Sequence, residues 1–458
     1  MNQKINDYID QHKDEMIEQL RGLIKIRSCA SEAKPGMPFG EKSAEALSYA
    51  LELCDEFGFR TRNVDNYAVR ADFGPEDVQL GILTHADIVP EGEGWTYPPF
   101  DCVIEDGKMY GRGTTDDKGP LISSIFALRC IKELNIPLKK GVRLIFGGNE
   151  EQQSNDLEYY SSIEPMPKML ITPDGEYPVV NVEKGIIRVA FGKSFTASTN
   201  EKKVVSVKGG ITVNAVPNKA TAVVQGFSIE ELQGYADNYQ GTIKLSFTQD
   251  GGSITILSEG TSAHASKPES GNNALTGLLT FLTMLPIEGE GMQTISEVVK
   301  LFPHGDLNGN ALGLKDMADL TLTLSIMDYT ESNVNIKFDS RFPINFTFEQ
   351  MSDMFTKAVE KFDFEVSEIM GMGPHSVPEE SVLVQTLLKV YHEHTGLKPE
   401  CLTIGGGTYV HDFEGGVAFG PMFPGVDNRI HGIDEFVDID EFLLNTKILA
   451  HVIMELCG

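Results

Sequence analysis

The residues best suited to chemistry stand at the ends of apolar runs. His85 follows the run 78–83, with Asp87 two residues later. Asp116 lies in Gly111-Arg112-Gly113-Thr114-Thr115-Asp116-Asp117-Lys118-Gly119. Glu150 and Glu151 follow the run 142–146, Asp174 follows 169–172, and His431 lies in the loop region beyond 417–419. Two imidazoles with several carboxylates are what a pair of borderline divalent ions requires. Each ion takes nitrogen and carboxylate oxygen, and one carboxylate can bridge two ions roughly 3.5–4 Å apart. Water between such ions is acidified, and a spare carboxylate can take its proton and hand it to a leaving amine.

Taken singly, each residue has an ordinary reading. A His-x-Asp triplet arises by chance, Asp116-Asp117 could cap a helix, Glu150-Glu151 could be a solvated pair, and His431 could be a surface histidine. Their joint occurrence at successive strand ends is what points to a site. Asp87 then falls behind the ligands, orienting the His85 ring through its second nitrogen.

These positions need an open α/β sheet, which binds ligands beyond its strand ends. Apolar runs alternate with helical periodicity in residues 1–187 and again in 379–458. Gly58 and Gly396 follow helical stretches as C-caps, and Asp106-Gly107 marks a hairpin. Between them, residues 188–378 read as strands with a few helices, an inserted α+β domain long enough for two small subdomains. The expected fold is therefore a mixed central sheet flanked by helices, carrying the metal site, plus an inserted lid.

The chain has 458 residues and a formal charge of −29, so nucleic acid and anionic membranes are poor partners. Its six cysteines form no C-x-x-C pair, which suits buried thiols in a reducing compartment. The polar N-terminus lacks an apolar signal core, and no run approaches ~18 apolar residues. The expectation is a cytoplasmic protein without a membrane span.

The ordered motifs resemble the co-catalytic zinc metallopeptidases related to aminoacylase and carnosinase. Within them the likeness is greatest to bacterial cytosolic dipeptidases of the peptidase V type. It includes His85-Ala-Asp87, Asp116-Asp117-Lys118-Gly119, Glu150-Glu151, Asp174 and His431. It extends to Asn181-Val-Glu183-Lys184-Gly185, Gly405-Gly406-Gly407-Thr408-Tyr409 and 417–425, nearly the whole chain. The resemblance implies two Zn2+ ions, with Mn2+ or Co2+ as substitutes. His85 and Asp174 would hold one ion, Glu151 and His431 the other, and Asp116 would bridge, with a cis peptide to Asp117. Glu150 would be the general base and acid. His264 would stabilise the oxyanion. Asn214, Arg341 and the backbone at Gly406 and Gly407 would bind substrate, Arg341 gripping its terminal carboxylate with two bonds. His411 departs from relatives that carry an arginine near this point. The implied activity is hydrolysis of unblocked dipeptides. An N-acyl-amino-acid deacylase or desuccinylase, and a non-enzymatic metal or peptide binder, are the alternatives. The implied assembly is a monomer whose lid mimics a dimer internally.

Overall fold

The computed structural model describes residues 2–152, 154–314 and 319–458. Two compact units divide the chain, Met1–Glu183 with His375–Gly458, and Lys184–Pro374. The inserted unit thus starts and ends four residues earlier than the expected 188–378. The reason is register. Gly185 already pairs with Phe342, while His375 pairs with Glu183 of the first unit's sheet.

The first unit is built on a mixed nine-stranded sheet. Its centre is parallel: Gly141–Gly147, Val78–His85, Met169–Thr172 and Gly416–Ala418 lie side by side. Ala68–Phe73 runs antiparallel to Gly141–Gly147 on one flank, and Val179–Glu183 runs antiparallel to Gly416–Ala418 on the other. Parallel strands are covered on both faces, which is why their sequences are continuous apolar runs rather than alternating ones. Leu80, Ile82, Leu83, Leu144, Ile145 and Phe146 are all fully buried. Helices Lys118–Glu133 and Ile439–Cys457 contribute their apolar faces to the same core. Asp438 caps the second of these by accepting the N–H groups of Asp440 and Glu441. Two helices open the chain, Asn2–Gln11 and Lys13–Ile24, broken at His12. The Asp106-Gly107 hairpin joins Val103–Glu105 to Lys108–Tyr110, with both turn residues at positive φ.

The inserted unit has one continuous eight-stranded antiparallel sheet. The two expected subdomains are its halves. They join where Lys203–Gly209 pairs with Thr321–Tyr329 over Val207, Lys208 and Gly209, and they share one core. Helices Ala274–Leu282 and Glu290–Leu301 bury apolar faces in that core, as does Phe348–Glu360, which starts with a Thr347/Gln350 capping box. Among the described residues, no helix is long and apolar enough to cross a membrane.

Candidate metal centre

The central parallel strands all end on the same edge, and three of the four bring a polar residue there. His85 is the last residue of Val78–His85. Glu150 and Glu151 follow Gly141–Gly147, and Asp174 follows Met169–Thr172. Asp116 arrives separately, just before the helix Lys118–Glu133, and His431 comes from the loop after Pro421–Met422. The Asp116–Asp117 peptide is cis.

Asp116 stands between the two histidines. Its Oδ1 is 3.0 Å from His85 Nε2, and its Oδ2 is 3.0 Å from His431 Nε2. Asp174 Oδ2 lies 3.8 Å from His85 Nε2, and Glu151 Oε2 lies 3.1 Å from His431 Nε2. Two donor triads result, His85–Asp116–Asp174 and Asp116–Glu151–His431, each with its donor atoms within 4.8 Å of one another. Among the described residues, Glu151 Oε1 is buried without a hydrogen-bond partner. A shared carboxylate, two imidazole nitrogens and one further carboxylate per triad match the donor chemistry of a divalent pair, so the residues fit it.

The electrostatics are those of crowded acid. Burial, then the charges of Asp174, Asp116 and Glu151, pushes the Glu150 carboxyl well above the carboxylate range, against the pull of His85. Burial and Asp116 raise Asp174 to about 7. Burial works against ionised Asp116, but hydrogen bonds to His431 and His85 outweigh it and hold its carboxyl low. Those to Asp116 and Glu151 lift His431 to about 11. Burial opposes charge on His85, yet Asp116 and Asp87 carry its pKa well up. Protons here do what cations would do, neutralising carboxylates that cannot all stay charged together.

Asp87 does more than orient His85. One of its oxygens lies 3.3 Å from His85 Nδ1. The same carboxylate accepts the backbone N–H groups of Glu150 at 3.1 Å and Glu151 at 3.2 Å. It therefore sets the turn that carries both glutamates. Asp117 accepts the His85 backbone N–H at 3.0 Å and is fully buried.

Three supporting contacts were not assigned from the sequence, although Glu183, Thr408, Tyr409 and His411 lie in or beside its motifs. Glu435, fully buried, accepts the N–H groups of Gly113 and Thr115 at 3.0 Å and of Asp116 at 3.3 Å through one oxygen. Its other oxygen takes Arg112 at 2.7 Å, and Arg112 also donates to Gly432 O. Burial and Asp116 raise Glu435 to about 7. Asp156 accepts the Asn149 N–H and the Tyr409 hydroxyl, both at 2.7 Å, and the Tyr409 ring meets His85 edge-on at 6.0 Å. Glu183, 1% exposed, binds Thr408 at 2.5 Å and His411 Nδ1 at 2.6 Å. A glutamate four residues past His431 and an arginine between two glycines beside Asp116 were the only local signals for the first group.

The remaining predicted residues fall elsewhere. Gly406 and Gly407 lie in the bend after Cys401–Ile404; a Cβ at Gly406 would meet open space, so crowding does not demand glycine there. Asn214, His264 and Arg341 belong to the inserted unit. Ala265 N–H donates to Asn214 O at 2.9 Å, which holds the Asn214 and His264 loops together. Partial desolvation and the Arg341 guanidinium keep His264 below its ordinary value. Arg341 is 2% exposed and doubly bonded to Asp339 at 2.7 and 3.0 Å. Trp95 anchors its loop: its N–H donates to Glu91 O at 2.7 Å and Arg112 lies 5.3 Å from its ring.

Known proteins share this architecture. The model of Peptidase family M20/M25/M40 matches residues 81–455, and the chain belongs to that family of hydrolases. "Putative dipeptidase YtjP" of Bacillus subtilis (strain 168) is 36% identical over 455 residues, 97% of each chain. A Beta-Ala-Xaa dipeptidase of Lactobacillus delbrueckii subsp. lactis is 33% identical over 468 residues, covering 100% of this chain and 99% of that protein. The crystal structure of human carnosine dipeptidase 1 superposes with a TM-score of 0.59 at 16% identity, over 99% of this chain and 98% of that one. This last likeness is one of fold.

Proposed function

We propose that the protein is a metal-dependent dipeptidase acting on short unblocked dipeptides, with two Zn2+ ions, or Mn2+ or Co2+ in their place. The observation that carries this reading is the single Asp116 carboxylate set 3.0 Å from each of two imidazoles. His85 and Asp174 would hold one ion, Glu151 and His431 the other, and Asp116 would serve both. When bound, the ions supply Lewis acidity toward the peptide carbonyl and toward water.

Glu150 moves the proton. Its carboxyl lies 4.0 Å from His85 Nε2, and its raised pKa suits a group that must accept a proton and release it again. It takes one from the attacking water as the new C–O bond forms and gives it to the amine nitrogen as the C–N bond breaks. Adjacent residues hold different jobs because Asp87 fixes the backbone of both. In the inserted unit, His264 is the oxyanion donor, and Asn214 and Arg341 bind the substrate. Gly406 and Gly407 offer backbone amides. The names of the sequence relatives support a dipeptide substrate. The chain acts as a monomer in the cytoplasm.

The test is a panel of dipeptides and N-acetyl amino acids, offered to metal-loaded protein with and without chelator. Chelator-sensitive cleavage of free dipeptides over N-acetyl amino acids is expected. Preference for the acylated compounds would replace the reading with a deacylase, and metal uptake without any turnover would leave a binding protein.

A further inference from the structure

The inserted unit carries a second arginine beside Arg341. Arg188, on Gly185–Ser194, is the register partner of Asp339 on Asn333–Phe342. Its Nε donates to Asp339 Oδ2 at 3.0 Å. The same carboxylate already takes two bonds from Arg341. Asp339 is fully buried, whereas the Arg188 side chain is 35% exposed. One carboxylate therefore faces two guanidiniums. A guanidinium pre-oriented through Nε presents its remaining edge to a carboxylate in fixed geometry. Both arginines act electrostatically on His264, which places the three in one neighbourhood.

Beside Arg188 the sheet face opens into a cavity of about 240 Å3. Ala190, Val213, Ile326 and Met370 give it apolar walls, and Lys337 and Glu368, 3.8 Å apart, also line it. Register sets Met370 opposite Arg188 and Glu368 opposite Ala190. Val213 adjoins Asn214 in sequence. Among the described residues, a larger cavity of about 330 Å3 around His304 is lined by Asp306 and by no Glu, Lys or Arg. We infer that the Arg188 cavity receives the side chain of the substrate's C-terminal residue, with Arg188 joining Arg341 in holding its α-carboxylate. The ligand class is an α-amino acid unit with a free carboxylate and an apolar side chain of leucine or phenylalanine size. This inference rests on the dipeptidase reading.

The experiment compares wild type, Arg188→Lys, Arg188→Ala and Met370→Trp on dipeptides ending in Gly, Leu or Phe, each also as its C-terminal amide. Arg188→Ala should raise KM for the free acids roughly tenfold or more, the size of a lost charge-assisted hydrogen bond, and leave the amides' KM little moved. Arg188→Lys should recover part of this, since charge remains and the fork is lost. Met370→Trp, at a half-exposed position, should lower the Leu-to-Gly ratio of kcat/KM about tenfold. If wild type cleaves dipeptides while Arg188→Lys and Arg188→Ala move acid and amide alike, the carboxylate role is refuted. An unchanged Leu-to-Gly ratio in Met370→Trp refutes the pocket. If wild type cleaves no dipeptide, the underlying reading fails instead. Should Arg188→Ala not fold, Arg188→Lys and Met370→Trp decide.

Discussion

Two charge clusters among the described residues are built differently. Around Asp116, carboxylates outnumber the basic groups, and they gather where parallel strands end. Around Asp339, one carboxylate is shared by two guanidiniums on the face of an antiparallel sheet. Asp116 and His85 in the first, and Asp339 and Arg341 in the second, are buried, whereas His431 and Arg188 reach the solvent. An excess of buried acid is relieved by cations or by protons. A guanidinium held through one edge and open to solvent at the other can take an anion. The difference identifies the kind of ligand each cluster would take.

Removing metal should have the largest effect. Dialysis against a chelator should abolish dipeptide hydrolysis, and added Zn2+, Mn2+ or Co2+ should restore it; hydrolysis that survives complete metal removal, checked by elemental analysis, would overturn the reading of the acid cluster. Next comes Glu150→Ala. It should lower kcat by roughly 10²–10⁴-fold while metal content per chain stays the same, because Glu150 moves a proton and holds no ion. On the other side of the comparison, Asp339→Ala leaves two guanidiniums without their shared partner. It should cost about 3 kcal/mol in denaturant unfolding. Glu435→Gln should weaken metal affinity about 10- to 100-fold in a chelator competition, since Glu435 holds the backbone on which Asp116 rides.

The smallest effect is a count of protons. In the metal-free protein hydrogen bonds to Asp116 and Glu151 lift His431 to about 11, and burial and Asp116 raise Asp174 to about 7, so both groups hold protons that an ion must meet near neutral pH. Ions must displace those protons. Metal binding at pH 7 should release more than one proton per chain, read from calorimetry in buffers of different ionisation enthalpy. Release should fall, and apparent affinity rise, as pH passes 7 and then approaches 11. Affinity independent of pH between 6 and 8 would contradict the acid cluster as described.

Much of the first cluster was legible because of where it sits. A buried parallel strand is a plain apolar run, so the polar residue that ends it stands out, as His85, Glu150 and Asp174 do. Asp116 and His431 lie on a helix entry and a loop, and drew notice only beside the others. The supporting groups were not legible. Glu435 and Gly113 are 322 residues apart, and Tyr409 and Asp156 are 253 apart, and no local pattern links such pairs. Arg188 was missed for a related reason. Its meaning comes from a cross-strand register with Asp339, 151 residues away.

The sequence by itself determined the strands, their polar ends and the family motifs, because periodicity and residue type are local properties. Only the tertiary structure decided that Asp87 holds the two glutamates through their backbone, that Glu435 holds Asp116, and that one aspartate is shared by two arginines. Those are hydrogen bonds between segments far apart in the chain, and it is folding that brings their donors and acceptors together.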